Sequence, residues 1–348
     1  MLFNLKQNSF GLDISERALR LVLLKKHKQK AKVVSIGVEN LPAGVIDNGK
    51  ILDSKKFTAH VKNLIKNVKG QRISIKYVNT GLPEPQTFIK LISLTYPNSK
   101  NILKEIISES KKHIPYPLEK TYFDWQFVNN KDRSKVLIAV CPKDIVDNYQ
   151  ENIIKAGLIP IVLEIEAVAI CRSLIALKNP NPEPFIILDL GATRTSLIIY
   201  QGYTILYSLS FEFCADKLNK IIKSKLNLSF EEIEKSKKLC GLDPKKAGGG
   251  IKKLIEPQVK KLAQQIRESK YFYHEHYSKE KEIKTLILTG GTSQMPHLAE
   301  YLSEQCKLKT EISNPLLNLS DHNSDLFPKD IQSYTTAIGL ALRNIQEL

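Results

Sequence analysis

Apolar and polar residues alternate with the period of β-strands over three stretches in the first part of the chain, residues 12–24, 31–38 and 73–79. Between the last two stretches, residues 54–68 show the helical period instead, with apolar residues on one face. Strands that alternate with amphipathic helices predict an α/β fold, because such helices cover the face of a sheet.

The pattern changes after a proline-rich segment at residues 81–85. The apolar face of the next helix is predicted to contain Ile102, Leu103, Ile106 and Ile107. This order of elements predicts a small inserted βαββα subdomain over residues 83–155. Its strands are predicted at residues 87–94, 122–128 and 136–140, and its helices at residues 98–113 and 145–155.

Downstream, residues 159–163 are predicted to return to the first lobe as a strand, and residues 166–176 to lead towards a second lobe as a helix. Pro180, Pro182 and Pro184 mark the boundary between the lobes. Later helices are predicted at residues 229–240, 251–277 and 333–344. The predicted domains are a first lobe core (1–82 and 156–182), the inserted subdomain (83–155), a second lobe core (183–227 and 283–348) and a helical subdomain (228–282).

Composition narrows the class of protein. A chain of 348 residues with 42% hydrophobic residues has enough material for two or three domain-sized units. Its net charge of +16 comes mostly from lysine, with only eight arginines and no basic block interleaved with aromatics, so we expect no nucleic-acid role. Five scattered cysteines and the lack of a long apolar stretch predict a protein that stays in a reducing cytoplasm.

A strand that ends in an aspartate occurs twice in the chain. Asp13 follows the apolar run at residues 10–12, and Asp189 follows the apolar run at residues 185–188. In both places a short polar turn leads directly into a second strand. Such a turn presents backbone N–H groups to an anion, and its aspartate can hold a cation against that anion. The repetition predicts two related lobes that clamp a phosphate group.

A third element follows in the second lobe, where the apolar run at residues 286–288 leads to Gly290 and Gly291 and then to a predicted helix start. Glycines allow a backbone to approach a ligand closely, and a helix N-terminus favours an anion. The order of two aspartate turns followed by a Gly-Gly turn is more informative than any one of them.

This ordered set resembles the actin-like ATPase superfamily, and nearly the whole chain resembles the PilM family of type IV pilus assembly proteins. The more specific stretches are His113-Ile114-Pro115-Tyr116-Pro117 and Ala156-Gly157-Leu158-Ile159-Pro160. The resemblance implies an actin-like ATPase fold, with two lobes, a nucleotide cleft between them, and an inserted subdomain of the type found in FtsA and PilM.

The resemblance also implies ATP and Mg²⁺ as ligands. Asp13 and Asp189 would act through the metal and its waters, and Glu166 would position water for hydrolysis, which we expect to be weak or absent. The remaining nucleotide contacts carried over to this chain are Ser15, Arg20, Gly191, Ala192, Thr193, Thr195, Arg267, Gly290, Gly291, Thr292 and Ser293.

Three residues depart from the superfamily pattern. Ser15 replaces a glycine in the first turn, and serine is restricted at positive φ. Glu16 adds a negative charge where a polyphosphate is expected, which Arg17 could offset. Arg194 stands where a small hydroxyl residue is usual.

The resemblance implies a cytoplasmic scaffold, associated with the inner membrane through its partners. The partner would be the short N-terminal segment of a PilN-like membrane protein, in a groove near residues 88–94 and 98–116. Other pilus components of the inner membrane and a homo-oligomer are further expected partners. For Ile114 and Tyr116, packing within the core of the subdomain is the alternative to peptide contact.

Two other functions share this fold. A small-molecule kinase would need a carboxylate base in a substrate pocket, and the sequence leaves this open. An FtsA-like filament protein would carry a membrane helix beyond the last core helix, and the few residues after 344 favour a PilM-like protein instead.

Overall fold

The computed structural model describes residues 8–27, 30–129, 131–176, 182–320 and 325–346. The chain divides into two compact units. The first comprises Met1–Pro180, Tyr203–Ser208 and Pro315–Leu348, and the second comprises Asn181–Gly202 and Leu209–Asn314. Pro180, one of the predicted boundary residues, lies outside the described residues.

The first unit is built on a six-stranded mixed sheet with the order β11-β7-β1-β2-β3-β6. β1 pairs with β7, and β7 with β11, in parallel, whereas β1–β2, β2–β3 and β3–β6 are antiparallel. The strands are β1 (Phe10–Ile14), β2 (Ala18–His27), β3 (Lys30–Asn40), β6 (Lys69–Gly70), β7 (Tyr77–Leu82) and β11 (Ile159–Ile165), and β4 (Ile46–Asp47) and β5 (Lys50–Ile51) form a separate hairpin.

Two apolar cores form around this sheet. The larger contains buried side chains of α1 (Ser54–Lys66) and α3 (Lys143–Lys155), with Phe57 and Tyr149 among the largest. The other is formed by β2, β3 and α9 (Thr335–Gln346). α4 (Glu166–Leu174) packs against α9.

The last helix corrects one predicted boundary. α9 packs against β1, and a Cβ atom on Gly11 would lie only 2.3 Å from the Ala337 carbonyl oxygen. Asn79 of β7 also donates a hydrogen bond to the Leu340 carbonyl at 3.1 Å. Residues 315–348 therefore belong to the first unit, and their assignment to the second lobe core was wrong.

The inserted subdomain has a core of its own, but that core is smaller than predicted. β8 (Phe88–Ser93), β10 (Lys135–Pro142) and β9 (Thr121–Phe127) form an antiparallel sheet in that order, and α2 (Ile102–Ser110) packs on it through Ile106. The next helix, α3, packs instead into the larger core of the first unit through Tyr149 and Ile153. The order β8-α2-β9-β10-α3 is the predicted βαββα order, but the separate core ends with β10.

α2 also differs from its prediction. It starts at Ile102, where the Asn101 side chain caps the N-terminus by accepting a hydrogen bond from Lys104 N. Ile106 is fully buried, but Leu103, predicted on the same face, is 49% exposed. A helix of this length buries a narrow stripe, and Leu103 lies outside it.

The second unit has a sheet with the order β16-β15-β12-β13. β12 (Phe185–Leu190) pairs in parallel with β15 (Thr285–Thr289), which pairs in parallel with β16 (Lys309–Ile312), and β13 (Thr195–Gln201) is antiparallel to β12. The helices are α5 (Ala215–Leu226), α6 (Phe230–Leu239), α7 (Gly250–His276) and α8 (Leu298–Cys306). β14 (Thr204–Phe211) pairs Tyr207 with Lys90 of β8, within the first unit.

The boundaries of two helices show what local sequence could and could not predict. α6 starts where expected, because Ser229 and Glu232 form a reciprocal capping box. α8 starts only at Leu298, later than the predicted helix start beside the Gly-Gly pair, because residues 290–297 form turns and His297 adopts a φ of 60°. α7 continues through Pro257.

Candidate functional site

A tight turn joins β1 to β2 directly after Asp13. The Ser15 N–H and the Ser15 hydroxyl both donate to the Ala18 carbonyl, at 3.1 and 2.8 Å. Ser15 is not among the residues with positive φ. The expected conflict between serine and a left-handed backbone is therefore absent, and the serine side chain itself closes the turn.

Asp13 and Arg20 lie directly opposite each other in the β1–β2 pair, with Asp13 Oδ2 and Arg20 Nη1 3.7 Å apart. Burial raises the pKa of Asp13 to about 6, and the positive charge of Arg20 opposes this shift. The Arg20 guanidinium also lies 5.8 Å from the ring centre of Tyr334. The first unit thus presents a buried carboxyl group beside a fixed cation.

The Glu16 carboxylate accepts a hydrogen bond from the Gly49 N–H at 3.2 Å. Gly49 has a φ of +76°, in the left-handed region that favours glycine. The side chain of Glu16 is therefore engaged by the β4–β5 hairpin. Whether its charge weakens polyphosphate binding stays a prediction.

The second turn, between β12 and β13, repeats the first in its backbone. Gly191 N–H donates to the Arg194 carbonyl at 3.0 Å. In sequence, Gly191 and Arg194 follow Asp189 at the same spacing as Ser15 and Ala18 follow Asp13. A Cβ atom on Gly191 would lie 2.7 Å from the Arg194 carbonyl oxygen. Close packing, rather than positive φ, therefore requires glycine here.

The carbonyl groups of this second turn are used by the start of α5. Ala215 N–H donates to Gly191 O at 3.2 Å, and Asp216 N–H donates to Ala192 O at 2.9 Å. In the described part of the chain, the N–H groups of Ala192 and Thr193 make no hydrogen bond. Consecutive free N–H groups in a turn form an anion-binding concavity.

Thr195 and Arg194 follow these two residues. Thr195 is fully buried and its hydroxyl donates to the Phe213 carbonyl at 2.7 Å, so this side chain holds the turn against the segment before α5. A nucleotide contact by Thr195 stays a prediction. Arg194 is partly exposed beside the free N–H groups of the turn.

The Gly-Gly turn approaches Asp189 closely. Gly290 has a φ of +83°, and a Cβ atom there would lie 2.5 Å from Asp189 Oδ1 and 2.7 Å from the Leu190 carbonyl oxygen. Thr292 N–H donates to Leu190 O at 3.2 Å, and the Ser293 hydroxyl donates to Gly290 O at 2.7 Å. The structure therefore brings together Asp189, the β12–β13 turn and the Gly-Gly turn, whereas Gly291 is exposed.

Arg267 is an exposed residue of α7. Its Nη1 donates to the Gln305 carbonyl at 3.2 Å, near the end of α8. A cation at a helix C-terminus interacts favourably with the terminal carbonyl groups. This contact explains Arg267 structurally, and its predicted place beside adenine stays a prediction.

Glu166 is the first residue of α4, and a Cβ atom on Gly81 would lie 3.0 Å from its Cγ. The charges of Glu166, Asp13 and Glu16 all raise the pKa of Tyr149, although burial is the main cause of that shift. These three carboxylates therefore act electrostatically on the buried Tyr149 hydroxyl.

Sequence reasoning missed Tyr149. It lies on the apolar face of α3 with Ile145 and Ile153, so its spacing indicates a core residue and nothing more. Within the described residues, its fully buried hydroxyl has no hydrogen-bond partner.

A buried charge network that was also missed connects three elements of the first unit. Glu164 of β11 accepts from Arg172 Nη1 and Nη2 at 2.5 and 2.8 Å, and also from Arg343 of α9. Arg172 Nη1 donates further to the Gly339 carbonyl at 2.9 Å. The network fixes α4, and hence the helix start at Glu166, against α9.

In the inserted subdomain, Ile114 packs against the local core, as the alternative to peptide contact predicted, and Tyr116 is half-buried. Lys90 Nζ lies 3.4 Å from His113 Nδ1. Burial lowers the pKa of both groups, and the charge of Lys90 lowers that of His113 further. The surface beside α2 therefore combines a partly buried cation with the exposed Leu103.

Carboxylate oxygens that suit Mg²⁺ are present, but within the described ranges protein side chains alone do not form a complete set of ligands for it. Among the described residues, no group of three or more His, Cys, Asp and Glu side chains could hold a metal ion. Mg²⁺ commonly binds one or two carboxylates together with water and phosphate oxygens. Asp13 and Asp189 each supply one carboxylate within their own unit, and Mg²⁺ binding by either stays a prediction.

The fold defines the class of this protein. The chain is similar to a solved PilM–PilN type IV pilus biogenesis complex (23% identity, 98% of this chain and 99% of that chain, TM-score 0.82). It is also similar to the ethanolamine utilization protein EutJ from Carboxydothermus hydrogenoformans (15% identity, 96% and 89% covered, TM-score 0.58) and to MreB5 of Spiroplasma citri bound to ADP (12% identity, 95% and 94% covered, TM-score 0.53). It has the actin-like ATPase fold, which confirms the predicted fold class.

The family model described as type IV pilus assembly protein PilM matches residues 11–345. The chain therefore belongs to the PilM family, and the resemblance inferred from its sequence is confirmed. In the part of the chain that the structure describes, no helix has the length and apolar character needed to cross a membrane.

Proposed function

We propose that this chain is a nucleotide-binding scaffold of type IV pilus assembly, which binds ATP with Mg²⁺ and the short N-terminal segment of a PilN-like membrane protein. The protein would act in the cytoplasm and reach the inner membrane through that partner. The interlobe cleft inferred from the resemblance, and further contacts to other pilus components, remain part of this proposal.

The observation that carries the nucleotide proposal is the second aspartate turn. Its carbonyl groups accept from α5, its Ala192 and Thr193 N–H groups remain available, and Gly290 leaves room beside Asp189. This arrangement suits a phosphate group, and Asp189 would act through a hydrated Mg²⁺ because direct carboxylate–phosphate contact is repulsive. Arg20 is a further proposed nucleotide contact, because a guanidinium can direct two donors to phosphate.

Hydrolysis is a separate property. Glu166, at the start of α4, is the residue that we propose to position water, and weak turnover is expected because no second base accompanies it among the predicted site residues. The solved relatives include MreB5 bound to ADP, which supports nucleotide binding but not a rate.

The partner proposal rests on family membership and on the similarity to a PilM–PilN complex over 98% of this chain. We place the peptide near β8, α2 and the turn at Pro115 and Tyr116. Leu103 is a large apolar side chain exposed on that surface, and prolines hold the turn in place.

The test of nucleotide binding is a thermal melting curve with and without Mg²⁺ and ATP, since a ligand that binds only the folded state raises the melting temperature. Asp189→Asn should abolish the shift. Asp144→Asn, which removes an exposed carboxylate of α3, is the matched control and should retain it. An unchanged curve for the parent chain at saturating ATP contradicts the proposal.

The test of partner binding is titration of a labelled peptide copied from the N-terminus of a PilN-like protein. Deleting residues 83–155 is unsuitable, because α3 completes the core of the first unit. Leu103→Ser should weaken binding, whereas Ile154→Ser, which changes a similarly exposed residue of α3, should not. Equal binding by both variants would place the peptide elsewhere.

A further inference from the structure

The positive charge of this chain is concentrated in two stretches that contain no Asp or Glu. Residues 17–38 contain seven Lys and Arg residues, and residues 54–83 contain seven more. Scattered lysines would reflect composition alone. Two long stretches without a compensating carboxylate instead point to a surface with one sign of charge.

The sheet of the first unit brings these two stretches together. Ile36 of β3 pairs with Lys69 of β6, and Gln71 N–H donates to the Val34 carbonyl at 2.9 Å. From the far side of β3, Lys25 Nζ of β2 donates to Gln71 Oε1 at 2.9 Å. Lys25, Lys66, Lys69 and Arg72, all exposed, therefore lie around the end of α1 and the adjoining sheet edge. We call these four residues the basic corner.

The basic corner is not neutralised within the described residues, where none of its four members forms an ion pair. The acceptor of Lys25 is a neutral amide, and Lys25 lies directly opposite Lys32 across the β2–β3 pair. An amide acceptor leaves the charge of Lys25 uncompensated, and an external anionic surface would supply the counter-charge.

We infer that the basic corner contacts the anionic headgroups of a lipid bilayer. Lysine is a compact charge that needs no fixed partner geometry, which suits mobile headgroups. A single-stranded nucleic-acid surface would instead combine such charges with aromatic side chains for base stacking. The aromatics of the two stretches, Phe57 and Tyr77, are buried or half-buried. This surface would act in addition to a membrane-bound partner and does not depend on the nucleotide site.

The test is sedimentation of the full chain with phosphatidylcholine vesicles that contain or lack phosphatidylglycerol, at low and at physiological salt. Binding should require the anionic lipid and weaken with salt. The triple variant Lys25→Gln, Lys69→Gln, Arg72→Gln should bind at least about tenfold more weakly, since each charge near the surface contributes about fivefold. The matched control is Lys253→Gln, Lys260→Gln, Lys261→Gln, which removes three exposed charges from α7 and should bind like the parent.

Melting temperatures of both variants should match that of the parent, which shows that the fold is intact. Equal loss of binding in the two triple variants would show that vesicle binding depends on net charge rather than on the basic corner, and would overturn the inference. Absence of vesicle binding by the parent would overturn it as well. Duplex DNA and single-stranded RNA serve as competing probes. If the corner variant loses nucleic-acid binding while the parent ignores vesicles, the surface recognises nucleic acid instead.

Discussion

Arg20 lies directly across the β1–β2 pair from Asp13, whereas Ser196 occupies the equivalent place across the β12–β13 pair from Asp189. The two turns share their closing backbone hydrogen bond but differ in this cross-strand partner. Burial raises the pKa of Asp13 to about 6 even with Arg20 beside it. The first turn therefore carries a titratable carboxyl group in the absence of ligand.

Asp13 predicts a pH dependence of stability. Its pKa is raised in the folded state from 3.8 to about 6, so the folded state holds the proton more tightly and stability falls as the pH rises through this window. Asp13→Asn, which mimics the neutral form, should be more stable than the parent above this window by up to about 3 kcal/mol and similar to it below. Urea unfolding of both proteins over a pH series measures this difference. Parallel pH curves would contradict it.

Gly290→Ala tests the close approach of the Gly-Gly turn to Asp189. The alanine would carry both a left-handed backbone and a clash at 2.5 Å, so we expect a loss of about 3 kcal/mol or more in the free energy of unfolding. Gly44→Ala is the matched control, because Gly44 has a similar φ of +87° with no atom within 4 Å of the added Cβ. The Gly44→Ala substitution should lower the free energy of unfolding by about 1 kcal/mol. Equal losses would show that the clash is relieved without cost.

Arg172→Ala tests the buried network around Glu164. Removing one member of a buried ion pair leaves the charge of its partner incompletely compensated. We therefore expect the free energy of unfolding to fall by about 3 kcal/mol. Lys155→Ala removes an exposed ion pair with Glu151 and should cost less than about 1 kcal/mol. Denaturant unfolding measures the stability loss of both variants. Similar losses would mean that Arg343 alone compensates the charge of Glu164.

Tyr149→Phe tests the unpartnered hydroxyl. A buried hydroxyl without a hydrogen bond costs about 1–3 kcal/mol, so its removal should leave stability unchanged or raise it. The measurement is the free energy of unfolding without ligand. A loss of more than about 1 kcal/mol would show that the hydroxyl is hydrogen-bonded in solution.

Glu166→Gln separates hydrolysis from binding. The variant should keep the ATP-induced melting shift of the parent, and its rate of phosphate release should be at least about tenfold lower than that of the parent. The reason is that Glu166 would position water rather than bind phosphate. Phosphate release by the purified parent chain at many turnovers per second would favour the enzyme class, such as a small-molecule kinase, over a scaffold.

Local sequence predicted most elements but not their partners. The apolar period of α3 marked it as a helix with a buried face, yet it could not show that this face packs into the core of the first unit rather than the inserted subdomain. The same limitation applies to α9, which follows the second lobe in sequence and packs on β1. Periodicity reports which face is buried and leaves open what covers it.

The sequence by itself determined the fold class, the family and the order of the two aspartate turns and the Gly-Gly turn, because these depend on short motifs and on local hydrogen bonds within each turn. Only the tertiary structure decided which residues surround them. Tyr149, the Glu164–Arg343 pair and the basic corner each join residues that are distant in the chain, and such contacts arise from the packing of elements rather than from any local pattern.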